Sequence, residues 1–584
     1  MKSHPPTRLL KLVSLVLIVS FAWGCAQKKI TKEPHAGPAT PKVSKSVHAE
    51  DSPSARVSGA MKRTSEAGEA ARPHPSSSPA SGLRAAYADD NRQFNRFLGF
   101  LSKYKTVSHL SADVSERITL SVTDKEGLVI PNCEVVLSVG GDVVEKGKTT
   151  SDGLFRTFPA LYAGSTQEIT ARLNAYNTSE TLTLTRKGKR KIPVTLDTWR
   201  RLPDAIPLDL LFILDTTGSM GEEIQRLKTS IDLINMNLAE HPAGPLIRYG
   251  MVLYKDRGDA YITREIPFTP ELEDFREELN RIKADGGGDT PEDLESALKQ
   301  GIDLMQWNPD AIKLAFIITD APPHLDYQHS FTYLDATRVA REKGIKIFSV
   351  GTGGLSLDGE YVLRQIAQLT SGAYIFLTYG ERSESDGGTP GSVSHHTGTN
   401  FTSNKLEAVI IKIARNELAN LTGDADITHD YFEATFKGEH PEKILDELFA
   451  SAVDQLASYA SISLSHKPAT AILPVATTLP AVDQSHLTST VLMAAIRHPL
   501  FTVVDRENTG AIVNEIKLGL SGLMDEASAA EAGRLTGATV LMAATATKTG
   551  EKINLILRLI SVETGEVLSA TRVVMDKTLL PSMW

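Results

Sequence analysis

The nearly continuous apolar run over residues 208–214, closed by Asp215-Thr216-Thr217-Gly218-Ser219, constrains this chain more than any other feature. A run of this length reads as a strand buried on both faces, the habit of parallel sheets covered by helices. The strand delivers one carboxylate and two hydroxyls to a turn, and a helix is expected to begin at about Met220. That is a hard-cation pattern, because magnesium takes oxygen ligands in near-octahedral geometry and keeps several waters. Two later segments complete it: Gly286-Gly287-Gly288-Asp289-Thr290-Pro291-Glu292, and Asp320 at the end of a second apolar strand, residues 314–319. Open α/β sheets bind ligands outside the carboxyl ends of their strands, where three such loops would meet.

Taken together, Asp215-x-Thr217-x-Ser219, the Gly-rich loop and Thr319-Asp320 resemble a von Willebrand factor A (VWA) domain. In that family these positions form a metal-ion-dependent adhesion site, at which an acidic side chain of a partner protein fills the open coordination position. The resemblance implies metal-binding roles for Asp215, Thr217, Ser219 and Asp320, and for Asp289 or Thr290 in the third loop. It implies a divalent cation. The hydroxyl-rich, low-charge ligand set favours Mg2+, with Mn2+ and Ca2+ left open. A helix N-cap after a buried strand is the plain alternative for the first motif alone. A phosphatase-type Asp nucleophile would want a second Asp two residues on, where Thr217 stands.

The surrounding periodicity agrees with an alternating α/β order. Ile224, Leu227, Ile231, Ile234 and Leu238 fall on one helical face, as do Leu294, Leu298, Ile302 and Met305. Apolar strands are expected at residues 249–254, 314–319, 345–350 and 374–377, which predicts a doubly wound sheet, the Rossmann-like layering of a VWA domain, over residues 206–380. Residues 381–440 read as loop and linker. His395-His396 lie there, but adjacent histidines share no face and nothing nearby completes a metal set.

At 584 residues the chain exceeds one core. Lys2, Arg8 and Lys11 precede an apolar stretch, residues 12–23, too short for a confident membrane span and ending in Gly24-Cys25. A small residue before such a Cys resembles the bacterial lipobox, so residues 1–25 read as a lipoprotein signal with Cys25 as the lipidated residue, although Trp23 and Ala22 depart from the pattern. Ala26 in place of Asp implies an outer-membrane address, facing the periplasm. Residues 26–90, rich in Pro, Ser and Ala, read as a disordered tether with a reach of roughly 40–50 Å.

Period-two runs (Ile118, Leu120, Val122; Val135, Leu137, Val139; Ile169, Ala171, Leu173; Ile192, Val194, Leu196) predict a small β-sandwich over residues 113–198. It resembles immunoglobulin-like or carboxypeptidase-regulatory-like modules, with Ser151-Asp152-Gly153-Leu154-Phe155 as a hairpin, and reads as a spacer. Cys133, on the apolar phase, reads as a buried structural thiol. The basic run 186–191 reads as a solvated hairpin turn, with contact to an acidic lipid or polymer as the alternative. With a net charge of −9, the chain offers no case for nucleic acid as a partner.

In the last third, Ile444, Leu448, Ala452 and Leu456 mark a helix, and Ile553, Leu555, Leu557 and Leu559 alternate before the turn Glu563-Thr564-Gly565-Glu566. With Phe501 to Glu507, Gly522 and Gly537-Ala538, this cadence is similar to the smaller α/β domain of CsgG-like and FlgO-like envelope lipoproteins and places a domain at residues 441–576. Asp505-Arg506-Glu507 reads as a helix cap with surface ion pairs. No second long alternating hairpin accompanies the pattern, so an accessory role is expected rather than a pore. The chain therefore reads as a multidomain, lipid-anchored envelope protein that binds an acidic protein ligand through its cation site. The alternative is a structural or activator subunit of a secretion, flagellar or peptidoglycan assembly, working through its last domain. No nucleophile stands at a convincing spacing from a base, so no enzymatic activity is expected.

Overall fold

The computed structural model describes residues 84–288, 290–378, 402–404, 406–423, 431–434, 440–504 and 537–583. Cys25, Asp289, His395-His396, Gly522 and Asp505-Arg506-Glu507 lie outside the described residues.

The expected tether ends earlier than residue 90. Arg84–Ala88 forms strand β1 and Phe94–Lys103 forms helix α1. A tether is inferred from missing apolar periodicity, but Phe94, Phe97 and Phe100 recur at three-residue spacing and are fully buried. The segment is pinned by Arg364, whose Nε donates to Asp90 Oδ2 at 2.8 Å and whose Nη1 donates to Glu360 Oε1 at 3.1 Å, all three side chains being buried.

Next come β2 (Ile118–Thr123), β3 (Glu134–Val139), β4 (Asp142–Lys148), β5 (Leu154–Thr157), β6 (Glu168–Ala175), β7 (Thr178–Thr185) and β8 (Lys191–Thr195). They make two sheets, ordered β5-β2-β8 and β4-β3-β6-β7. Their alternate side chains share one core with Cys133, whose thiol burial pushes up to about 12. The run 186–191 joins β7 to β8, which belong to different sheets. It is a crossover and not the expected hairpin turn, because alternation reports which face is buried and not which strand lies alongside.

The largest sheet contains β9 (Pro207–Asp215), β10 (Leu246–Tyr254), β11 (Thr263–Thr269), β12 (Ile312–Thr319), β13 (Ile345–Gly351), β14 (Tyr374–Thr378) and β15 (Thr402–Asn404), in the order β11-β10-β9-β12-β13-β14-β1-β15. The middle strands β10, β9, β12, β13 and β14 are parallel. Leu208, Leu210, Phe212 and Leu214 of β9 face α2 (Gly221–Ala239), α3 (Leu272–Arg281) and α7 (Leu406–Thr422). Leu211 and Ile213 face α4 (Leu294–Leu298), α5 (Tyr333–Lys343) and α6 (Leu357–Leu369). Helices on both faces explain why β9 is apolar from Leu210 to Leu214, while Asp209 near its start is buried against Arg248.

Helix α7 corrects the expectation of loop and linker over residues 381–440. Leu406, Val409, Ile410, Ile413, Ala414, Leu418 and Leu421 are buried in the core shared with β9 and α2. Their spacing of three and four is helical, and the Gly- and Ser-rich stretch before them masked it.

The last sheet is ordered β16 (Tyr431–Ala434), β22 (Val567–Asp576), β21 (Lys552–Ser561), β20 (Val540–Thr549), β17 (Ala469–Ile472) and β19 (Thr502–Val503), with β18 (Ala476–Thr477) beside β20. Helices α8 (Pro441–Ser458) and α9 (Ala481–Arg497) supply Leu445, Phe449, Leu456, Leu487 and Val491 to one core with the alternating residues of β21. Among the described residues, no helix is long and apolar enough to cross a membrane.

Candidate metal centre at the rim of the large sheet

Strand β9 runs between β10 and β12, so the chain leaves it in one direction to β10 and returns on its other side with β12. At such a reversal the loops part and leave a crevice above the strand ends. Asp215 closes β9 there, and Asp320 follows β12 beside it.

The Asp215 carboxylate is fully buried. Its Oδ1 accepts from Thr217 N at 3.0 Å and Thr217 Oγ1 at 2.8 Å, and its Oδ2 accepts from Thr319 Oγ1 at 2.9 Å. The Thr217 and Ser219 hydroxyl oxygens stand 3.4 Å apart, and Ser219 hydrogen-bonds Asp320. Thr217 is buried, Asp320 half-buried and Ser219 exposed, which grades the group from the sheet interior out to solvent.

Main-chain bonds strap the Gly-rich loop onto this turn. Asp285 N donates to Thr216 O at 3.2 Å, and Gly218 N donates to Gly286 O at 3.0 Å. The buried Lys255 ammonium donates to Thr216 O at 2.7 Å and to Asp285 Oδ1 at 2.8 Å. Gly287 has φ of 71°, and a Cβ there would lie 2.9 Å from Thr217 Cβ. Only glycine allows the loop this approach. Farther on, Glu292 N donates to Pro322 O at 3.0 Å and His324 N donates to Glu292 O at 3.0 Å, tying the loop to the segment after Asp320.

The structure brings Asp215, Thr217, Ser219 and Asp320 together as expected. Thr290 is exposed on its loop. The residue that turns inward from this loop is Glu292, which is 2% exposed and has an Oε2 buried without a hydrogen-bond partner. Burial, with the charges of Asp215, Asp256, Asp259 and Asp320 added, pushes the Glu292 carboxyl up to about 8. Burial, with Asp320 added, pushes Asp215 up to about 6, and burial also raises Asp320.

Asp256 and Asp259 escaped the sequence reading. They belong to the segment that leaves the carboxyl end of β10, the neighbour of β9, and that position was the available signal. Tyr327 donates to both Asp256 oxygens, at 2.9 and 2.7 Å, while His324 stacks on the Tyr327 ring at 3.9 Å. Gly287 N donates to Asp259 Oδ1 at 3.1 Å.

The donor set fits a hard divalent cation. Three buried or half-buried carboxyl groups with raised pKa values face two hydroxyls, one carboxylate oxygen lacks any partner, and among the described residues none of the three is ion-paired. No three acidic, His or Cys side chains among the described residues close a cage by themselves. Hydroxyls and water would have to make up such a shell.

Residues 209–379 match the von Willebrand factor A domain, and residues 479–554 match the curli production assembly/transport component CsgG. The chain thus carries a VWA domain followed by a CsgG-like domain. Among curated proteins, it is 29% identical over 207 residues to alpha-protein kinase vwkA of Dictyostelium discoideum, covering 34% of this chain and 32% of that one. It is 37% identical over 124 residues to human von Willebrand factor A domain-containing protein 7, covering 21% of this chain and 13% of that one. The chain thus spans about a third or less of these relatives' lengths. The solved C-terminal domain of LpoB from Escherichia coli is 17% identical, with a TM-score of 0.19, covering 23% of this chain and 98% of that one.

Proposed function

We propose that this chain is a lipid-anchored envelope protein whose VWA domain binds a protein partner through a divalent cation. Asp215 and Asp320 would supply charge, Thr217 and Ser219 hydroxyl oxygens, and Glu292 a further carboxylate. Bound there, the cation would offer an acidic side chain of the partner a coordination position, with Mg2+ the preferred metal. The observation that carries this reading is the convergence of unpaired carboxyl groups on two hydroxyls at the sheet reversal, since burying charge without a counter-ion is costly unless one arrives from solution. The curli assembly and transport role for which the CsgG family is named, and the lipobox-like Cys25, support an envelope location at the outer membrane. The two small sheets read as an immunoglobulin-like sandwich that serves as spacer, and the chain as a whole as a binding protein without catalysis.

Calorimetric titration with Mg2+ and Mn2+ tests the site. Saturable binding at one cation per chain, lost in Asp215→Ala, is expected; equal binding by both proteins would overturn the assignment. Radiolabelled palmitate incorporation lost in Cys25→Ala would separately establish the anchor.

The activator reading draws on a different observation. The Asn95 side chain of α1 donates to Ala460 O at 3.1 Å and Ile462 O at 2.8 Å and accepts from Leu464 N at 2.7 Å, so the segment pinned by Arg364 also grips the CsgG-like domain. A VWA domain held this way would transmit partner binding as a rigid scaffold.

A further inference from the structure

The basic crossover 186–191 faces the CsgG-like domain. The main-chain N–H groups of Arg190 and Lys191 donate to Glu566 Oε2 and Oε1 at 2.7 and 2.9 Å. Beside this contact lies a cleft of about 790 Å3, within the size range of small-molecule sites. Arg117, Lys187 and Arg190 line it from the β module, and Ser461, His466 and Lys467 line it from the segment after α8.

The lining's acids do not balance its cations. Glu116 is held by Arg186 through two bonds of 2.7 Å, which leaves Glu563 and Glu566, the latter bound to the two neutral amides, opposite Arg117, Lys187, Arg190 and Lys467. Donors stand unused: Ser461 is 3% exposed and its Oγ has no partner, nor has the buried Nη1 of Arg190. Burial, with Arg156 nearby, pushes the Arg117 guanidinium down to about 9, and burial lowers Arg190 as well. Lys467, in the lining, holds φ of 50°, a left-handed conformation that costs a non-glycine residue strain.

We propose that this cleft binds a small phosphorylated anion, its phosphate oxygens accepting from Arg190, Lys467 and Ser461. Guanidinium forks, an ammonium and a hydroxyl, all donors, suit an oxygen-rich anion that carries more than one charge. The site is independent of the cation centre.

The test is titration of the full chain with inorganic pyrophosphate in metal-free buffer. One saturable site per chain is expected, weakened about tenfold or more in Arg190→Gln and in Lys467→Gly, and unchanged in Asp215→Ala. Arg190→Gln keeps the main-chain bond to Glu566, and Lys467→Gly relieves the left-handed strain, so both variants should fold. Displacement of pyrophosphate by phosphatidylglycerol vesicles would identify the source as a lipid headgroup; failure to displace it would identify a soluble phosphate. Absence of saturable binding, or equal binding by both variants, would overturn the proposal.

Discussion

Two of the places where this molecule buries carboxylates treat them in opposite ways. At the seam between the β module and the VWA domain, the Lys346 ammonium donates to Glu417 Oε1 and Oε2 at 2.8 and 2.9 Å and to Asp152 Oδ2 at 3.2 Å. Burial acts to raise Asp152, yet Lys346 and Arg156 outweigh it and hold that carboxyl down at about 2. At the rim of the large sheet, Asp215, Asp320 and Glu292 receive no such cation among the described residues, and burial raises all three. The seam carries its own counter-charge and serves cohesion. The rim leaves its carboxyl groups without one, the condition that the proposed cation site would need.

Removing the seam's cation should have the largest effect. Lys346→Met strands Glu417 and Asp152 in a buried setting, and breaking a buried pair from one side costs about 3–5 kcal/mol. Urea denaturation should show the loss as a lower midpoint, and an unchanged midpoint would mean that the seam is wetter than its burial indicates.

At the rim the equivalent change should stabilise. Glu292→Gln removes a carboxyl that ionises freely in the unfolded chain but is resisted in the folded one. Its folded value of about 8 lies above the ordinary 4.5, so the folded state binds the proton more tightly. Without cation, stability should therefore fall as pH rises from about 4.5 to about 8. The variant should gain about 1–3 kcal/mol at the upper end of that window, be indistinguishable from the parent below it, and bind Mg2+ more weakly. With Mg2+ bound, the parent's decline should flatten. A decline of the same steepness with and without Mg2+ would separate the acidic cluster from metal binding.

Gly287→Ala probes the same rim through the backbone. A methyl group at φ of 71° and 2.9 Å from Thr217 Cβ forces the Gly-rich loop away from the turn. The expected cost is about 1–2 kcal/mol in melting experiments, with weaker Mg2+ binding alongside.

How far these two places could be read in advance differs for a physical reason. The core of the rim, Asp215, Thr217, Ser219 and Asp320, was legible because these residues close or directly follow two apolar strands, and strand ends are marked by composition. The helical faces of α2 and the strands around it were legible by period. Glu292 was visible in the loop, but its inward turn depends on main-chain bonds to Pro322 and His324 that no spacing encodes. The seam was illegible. Asp152 lies in a turn that reads as solvent-facing, Lys346 interrupts a strand, and Glu417 lies on a helix whose preceding stretch obscured it. Pairing between distant segments leaves no local trace in any of the three.

The smallest effect expected at the rim is also the most discriminating. The third loop offers Thr290 and Glu292 two residues apart, one exposed and one 2% exposed with an unpartnered oxygen. If the inward carboxyl is what the loop contributes, Thr290→Ala should change stability by no more than about 0.5 kcal/mol, as for an exposed position without special geometry. Its Mg2+ affinity should stay within about threefold of the parent, a difference below 1 kcal/mol, while Glu292→Gln loses about tenfold or more. The reverse order in calorimetry would mean that the loop moves on binding, bringing the threonine hydroxyl down to the cation and leaving Glu292 to repel its neighbours only in the metal-free state.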